Sequence, residues 1–322
     1  MFRTSLIAAA IGLAGASSAS AEVLIDQDFE AAAVTLNANL NYVAVPGGVP
    51  VDSATNLARY GNNGGNHTVV KSNTGSPPLK NYGNASKVLR VGTNNASGGM
   101  FIGDPVSEAT TITTTSFSVL AGYDYQDLNF YNASYDENKQ GTGGCLTFGW
   151  TAISASTDFF SPAQPTFMAG VRHLRNGTSP DYAPSTYTLA LGTGTGGGLS
   201  TTLTGAPAAG VLLTQGHWYL LHGTVDFNST TKQFTVDVHL DDYGIDGQTL
   251  VLADVLAGTG TSAVTTFGTT GQAAFHADGA RGFGVVDDLY AQTVPEPASL
   301  VLLALGGLVM CSRRRSVRER VM

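Results

Sequence analysis

The chain reads as an all-β protein, a two-sheet antiparallel sandwich set between two apolar ends. Three observations predict this. Short runs of alternating apolar and polar residues recur along the body. Clusters of Gly, Asn, Ser and Pro separate them, as turns require. No amphipathic helical period of useful length falls between the ends, so no βαβ alternation supports a parallel sheet.

The elements follow in order. Met1-Phe2-Arg3 is a short basic start, Leu6 to Ala14 is apolar, and Ala19-Ser20-Ala21 has the small-residue spacing of a cleavage site. These are the parts of a secretory signal peptide over residues 1–21. Val23, Ile25, Gln27 and Phe29 alternate as a first strand. The pattern from Ala31 to Pro50 assigns no element. Residues 61–66 and 72–84 are loops by turn chemistry, and Lys87–Val91 and Met100–Gly103 are short strands. Thr110–Leu120 is a strand by its β-branched and aromatic content.

Tyr123 to Tyr135 carries four tyrosines with Asp124, Asp127 and Asp136 nearby. It reads as either a strand with polar flanks or a binding loop. Aromatic faces stack on sugar rings, and carboxylates accept hydroxyl hydrogen bonds, so Tyr123, Tyr125, Asp127 and Tyr131 are candidate ligand contacts. Cys145–Ile153, Pro165–Val171 and Thr186–Leu191 are further strands, followed by a glycine-rich loop at Gly192–Gly198. That loop satisfies G-x-G-x-x-G but lacks the following helix a dinucleotide site needs.

Trp218–Phe227, the loop Asn228-Ser229-Thr230-Thr231 and Gln233–Leu240 form the best-defined unit, a hairpin. If Phe227 faces Phe234, His222 opposes His239 and Thr224 opposes Asp237. Cross-strand Cβ atoms lie about 4.5–5.5 Å apart, so His222, Asp237 and His239 could share a metal or a sugar. A one-residue slip would dissolve the cluster, and the alternative is the polar face of a half-buried sheet. Asp241–Gly247 is acidic but lacks EF-hand spacing, and reads as a turn. Leu250–Leu256, Gln272–His276 and Gly282–Tyr290 complete the strands.

The end of the chain has three parts. Val294-Pro295-Glu296-Pro297 is extended by its prolines. An apolar stretch from Ala298 to Cys311 follows, about 21 Å long as a helix and short against a bilayer core of about 30 Å. Arg313, Arg314, Arg315, Arg318 and Arg320 form a basic stop that favours a cytoplasmic C-terminus. In this order they resemble the PEP-CTERM tail of bacterial surface proteins. The resemblance implies processing near Val294–Pro297 by an exosortase-type enzyme, membrane attachment through the tail before processing, and a body exported to the envelope, cell surface or extracellular matrix. A plain C-terminal membrane anchor is the alternative. The expected domains are 1–21, 22–293 and 294–322.

Composition narrows the function. The full chain carries −8, and its basic residues concentrate in the tail, so the mature body is more acidic still. It has no Lys/Arg run, which argues against nucleic acid, whose phosphates need cationic contacts. Cys311 lies in the tail, which leaves Cys145 alone in the body, expected as a buried inert thiol. No G-x-S-x-G, H-E-x-x-H or C-x-x-C occurs, and no Glu pair has the spacing of concanavalin-like glycoside hydrolases.

Two body resemblances refine the fold. Gly216-His217-Trp218-Tyr219-Leu220-Leu221, running into Val225-Asp226-Phe227 and the Gln233–Leu240 strand, resembles the W-Y hairpin of concanavalin-like, laminin-G-like jelly rolls. Asp28-Phe29-Glu30 with Val286-Asp287-Asp288-Leu289 resembles the terminal strands of galactose-binding-type carbohydrate modules. The second resemblance implies that Asp28, Glu30, Asp287 and Asp288 hold a structural calcium, which takes about 6–8 oxygen ligands. Solvated strand-end carboxylates are the alternative. Both folds are jelly rolls, and the laminin-G-like form is the favoured one. The functional expectation is a non-catalytic glycan-binding or structural protein. The alternative is a glycan hydrolase or lyase on the same scaffold.

Overall fold

The computed structural model describes residues 21–27, short strands between 39 and 107, and residues 114–123, 143–151, 166–174, 177–178, 181–182, 186–193, 199–263, 270–277 and 282–294. The expected leader with Ala19, the segment holding Asp28 and Glu30, and the tail beyond Val294 lie outside these. Among the described residues no helix is long and apolar enough to cross a membrane.

The strands, in chain order, are β1 (Val23–Gln27), β2 (Asn39–Leu40), β3 (Pro50–Asp52), β4 (Leu57–Gly61), β5 (His67–Lys71), β6 (Lys87–Arg90), β7 (Gly99–Ile102), β8 (Val106–Ser107), β9 (Thr114–Tyr123) and β10 (Gly143–Thr151). They continue as β11 (Thr166–Leu174), β12 (Gly177–Thr178), β13 (Asp181–Tyr182), β14 (Thr186–Thr193), β15 (Thr201–Thr202), β16 (Trp218–Asn228), β17 (Gln233–Asp242), β18 (Leu252–Ala263), β19 (Thr270–Ala277) and β20 (Phe283–Val294).

Two large antiparallel sheets result. One runs β18-β17-β16-β9-β20-β6-β5-β2, with β1 also paired to β20. The other runs β15-β14-β11-β10-β19-β7-β4-β3, with β8 also on β19. The chain crosses between them after β2, β4, β6, β8, β9, β15, β18 and β19, so strands distant in sequence become neighbours. This is the two-sheet jelly roll that the alternating strands predict.

The unit Val23–Thr293 has its core between the sheets. Period 2 sends Phe117, Val119, Ala121 and Tyr123 of β9 inward, and likewise Phe234, Val236, Val238 and Leu240 of β17. Facing them are Leu146, Phe148 and Trp150 of β10 with Phe167, Ala169 and Val171 of β11. Rings knit the layers together. Phe117 stacks on Phe148 at 5.0 Å between centroids, and Phe167 stacks on Phe234 at 4.4 Å. Such pairs add about 0.5–1.5 kcal/mol beyond the area they bury. Cys145 is fully buried, and its thiol donates to the Val171 carbonyl at 3.2 Å.

Three glycines permit close backbone approach. A Cβ on Gly149 would stand 2.0 Å from the Phe167 carbonyl oxygen, one on Gly223 2.1 Å from that of Asp237, and one on Gly170 2.4 Å from that of Leu146. No side chain fits there, so only glycine serves.

A smaller apolar cluster of Val88, Leu120, Trp218 and Val285, with Leu220 and Tyr243 against it, forms separately from the main core. By strand parity Leu120, Trp218 and Leu220 lie on the outer face of the first sheet.

Candidate functional site

The β16–β17 hairpin has the register its alternation predicts. Phe227 pairs with Phe234, Thr224 with Asp237, and His222 with His239. The connection at residues 229–232 is held by Asn228, whose side-chain oxygen accepts from the Thr230 and Thr231 amides at 3.0 Å each. Because Phe234, Val236, Val238 and Leu240 must face the core, Asp237 and His239 face outward with His222 and Thr224.

On β9 the same parity exposes Ser116 and Ser118, opposite Thr224 and His222. Tyr290 and Gln292 of β20 complete the polar band, and the Tyr290 hydroxyl donates to Gln292 Oε1 at 2.7 Å. Together these side chains line an open depression of about 420 Å³ that crosses β17, β16, β9 and β20. That volume is within the ~300–1,000 Å³ usual for small-ligand sites.

The histidines are held by carboxylates. The His222 and His239 rings stack at 5.2 Å and 14°. His222 Nε2 lies 3.0 Å from Asp241 Oδ2, and Asp241 Oδ1 accepts from the Asp254 amide at 2.8 Å. His239 Nδ1 lies 2.6 Å from Asp254 Oδ1, and its Nε2 lies 3.2 Å from Asp237 Oδ1. Partial burial disfavours the imidazolium, but the Asp254 hydrogen bond and the charges of Asp237 and Asp254 outweigh it. The His239 pKa is therefore raised.

Asp254 reaches His239 because β18 bulges. Leu240 pairs with Leu256 but Asp242 with Leu252, and Asp254 adopts φ 53°. An aspartate tolerates that left-handed conformation better than most residues.

A second His–Asp pair lies at the far end of the hairpin. His217 Nδ1 is 2.9 and 3.0 Å from the two oxygens of Asp242. Asp242 Oδ1 also accepts from the Gly244 amide at 2.7 Å. Beside it, burial pushes the Tyr219 phenol up to about 12. This cluster fastens the turn that follows β17. The turn expected at Asp241–Gly247 starts later, because Asp241 and Asp242 still belong to β17; residues 244–247 turn, with Gly244 and Gly247 at φ 64° and 69°.

Other expected residues fall elsewhere. Tyr123 is 3 % exposed, with its ring 5.2 Å from that of Tyr187 and 6.2 Å from that of Tyr219. It is a core residue ending β9, where no surface ligand touches it. Tyr125, Asp127 and Tyr131 lie outside the described residues. Asp287 is 2 % exposed and accepts from the Asp288 amide at 3.0 Å. Asp288 is exposed, at φ 48°. Asp28 and Glu30, the other two members of the expected calcium set, lie outside the described residues, and among the described residues no group of three or more metal-ligating side chains occurs.

Residues 293–315 match the PEP-CTERM protein-sorting motif. Val294, Pro295, Glu296 and Pro297 fall within it, as does the whole apolar stretch from Ala298 to Cys311. The motif indicates export directed to the cell envelope through exosortase processing. No curated protein sequence matches the chain.

Solved structures with similarity include lectins. A peanut lectin with a bound nonamer peptide is 14% identical, covering 74% of this chain and 91% of its own, at a TM-score of 0.41. Lectin UEA-II complexed with galactose is 13% identical, covering 86% and 100%, at 0.41. Lectin I of Ulex europaeus, bound to the methyl glycoside of α-L-fucose, is 13% identical, covering 80% and 96%, at 0.40.

Proposed function

We propose that this is a non-catalytic glycan-binding protein of the bacterial envelope or extracellular matrix. Its contact surface is the polar band on the outer face of the first sheet. The observation that supports this reading is the open depression lined by Ser116, Ser118, His222, Thr224, Asp237, His239, Tyr290 and Gln292. Hydroxyls, a carboxylate and imidazoles on one face offer donors and acceptors to several sugar hydroxyls at once. The phenol of Tyr290 adds an aromatic surface at one end. Strands about 4.8 Å apart carry the band roughly 14 Å from β17 to β20, the length of a short oligosaccharide.

Sorting by the tail supports the setting. A body delivered to the envelope meets polysaccharide, and a shallow open site suits a polymer that enters from the side.

A glycan array probed with the purified full-length protein tests the reading. Binding is expected, and Thr224→Trp, which fills the depression, should weaken it by at least about tenfold, roughly 1.4 kcal/mol. Array signals no higher than background, or signals indifferent to Thr224→Trp, would overturn it. Release of new reducing ends from a bound glycan would replace it with a hydrolase or lyase on the same scaffold.

A further inference from the structure

We infer that the depression selects glycans bearing free amines over neutral or uronate glycans, a specificity that rests on the glycan-binding reading above. The argument is one of charge at the lining. Asp237 projects into the depression with its side chain 54% exposed. Its hydrogen-bond partner among the described residues is His239, which meets one carboxylate oxygen. The other oxygen remains for a ligand. A carboxylate accepting from an ammonium makes a short charge-assisted bond, roughly twice as strong as a neutral one.

The surrounding charges have the same sign. Asp226 sits on the same outer face and accepts from the Thr114 hydroxyl, and Asp241 and Asp254 stand behind the two histidines. Among the described residues no Lys or Arg lines the depression. The His239 ring beside it is already shared by Asp237 and Asp254. A uronate or sulfated glycan would bring like charge against Asp237, where the two imidazoles are already held by carboxylates, and repulsion of that kind rejects a partner. A neutral acetylated sugar would hydrogen-bond but gain no charge assistance. Ser116, Ser118 and Thr224 then serve ring hydroxyls next to the amine.

The test uses the full-length protein on arrays and in solution with three probes of matched length. These are deacetylated amino-sugar oligomers, their N-acetylated counterparts and oligouronates, each presented in several linkages in mildly acidic buffer. The amine series should bind at least about tenfold tighter than the acetylated series, and added salt should shrink the gap. Oligouronates should not bind. Asp237→Asn should bring the ratio between amine and acetylated affinity to about one, whereas Asp237→Glu should keep it above one. Thermal melts of both variants report whether each is folded. Equal binding of amine and acetylated oligomers would overturn the specificity and leave the glycan reading standing. Binding to none of the probes or to any other arrayed glycan would remove both.

Discussion

His222 and His239 stack face to face across β16 and β17, with ring centroids 5.2 Å apart. Carboxylates flank the pair: Asp241 on His222, and Asp237 and Asp254 on His239. The His239 pKa is raised by this setting. Its contribution to stability is therefore fully present below the unfolded value of about 6.5 and is lost as pH rises through the folded value. Urea midpoints should fall from roughly pH 6 to pH 8. His239→Gln should flatten that limb. A wild-type midpoint constant over the range would contradict the assignment.

The glycine contacts give a graded prediction. Gly149→Ala drives a methyl into the Phe167 carbonyl, a backbone atom that cannot step aside. The expected loss is above about 3 kcal/mol, or failure to fold. At Gly260 the new methyl would stand 2.6 Å from the side-chain tips of Leu191 and Leu203, which can rotate away. Gly260→Ala should cost only about 1–2 kcal/mol. Chemical denaturation of both variants checks the order, and equal losses would show that backbone rigidity is not the cause.

Phe234 stacks on Phe167 at 4.4 Å and meets Phe227 at 4.5 Å, so one ring joins the hairpin to the opposite sheet. Phe234→Ala should destabilise by about 3–5 kcal/mol. A melt within about 1 kcal/mol of wild type would mean that the layers do not depend on this ring.

Processing is checked by mass. Intact-mass measurement of protein recovered from its native envelope should place the C-terminus near Pro295–Pro297. A chain running through Met322 in the inner membrane would make the tail a plain anchor.

The hairpin and its outward His222, Asp237 and His239 were legible because apolar residues alternate through β17 without interruption. Tyr123 misled as a ligand contact because its tyrosine-rich neighbours left a binding loop open beside the strand reading. Its parity with Phe117, Val119 and Ala121 already pointed it inward. Ser116 and Ser118 carried the same signal, but their approach to His222 depends on β9 pairing with a strand far along the chain. No local pattern encodes that pairing. Asp254 reaches His239 only through a bulge, where period 2 fails. The second half of β18 was missed for another reason. Gly258 and Gly260 stand where core side chains would, because Leu191 and Leu203 fill the space from the other layer. Small inward residues leave no hydrophobic period to read.

The last strand of the body has a mechanical consequence. β20 pairs with β9, with β6 near Val285–Val286, and with β1 over Leu289–Gln292. A tether attached after residue 293 therefore pulls on a strand ringed by partners, one of which is the first strand of the body. Drawing it out means shearing three ladders together, because no free edge is available to peel. A protein held by its tail against flow would carry that load in a strand with three partners.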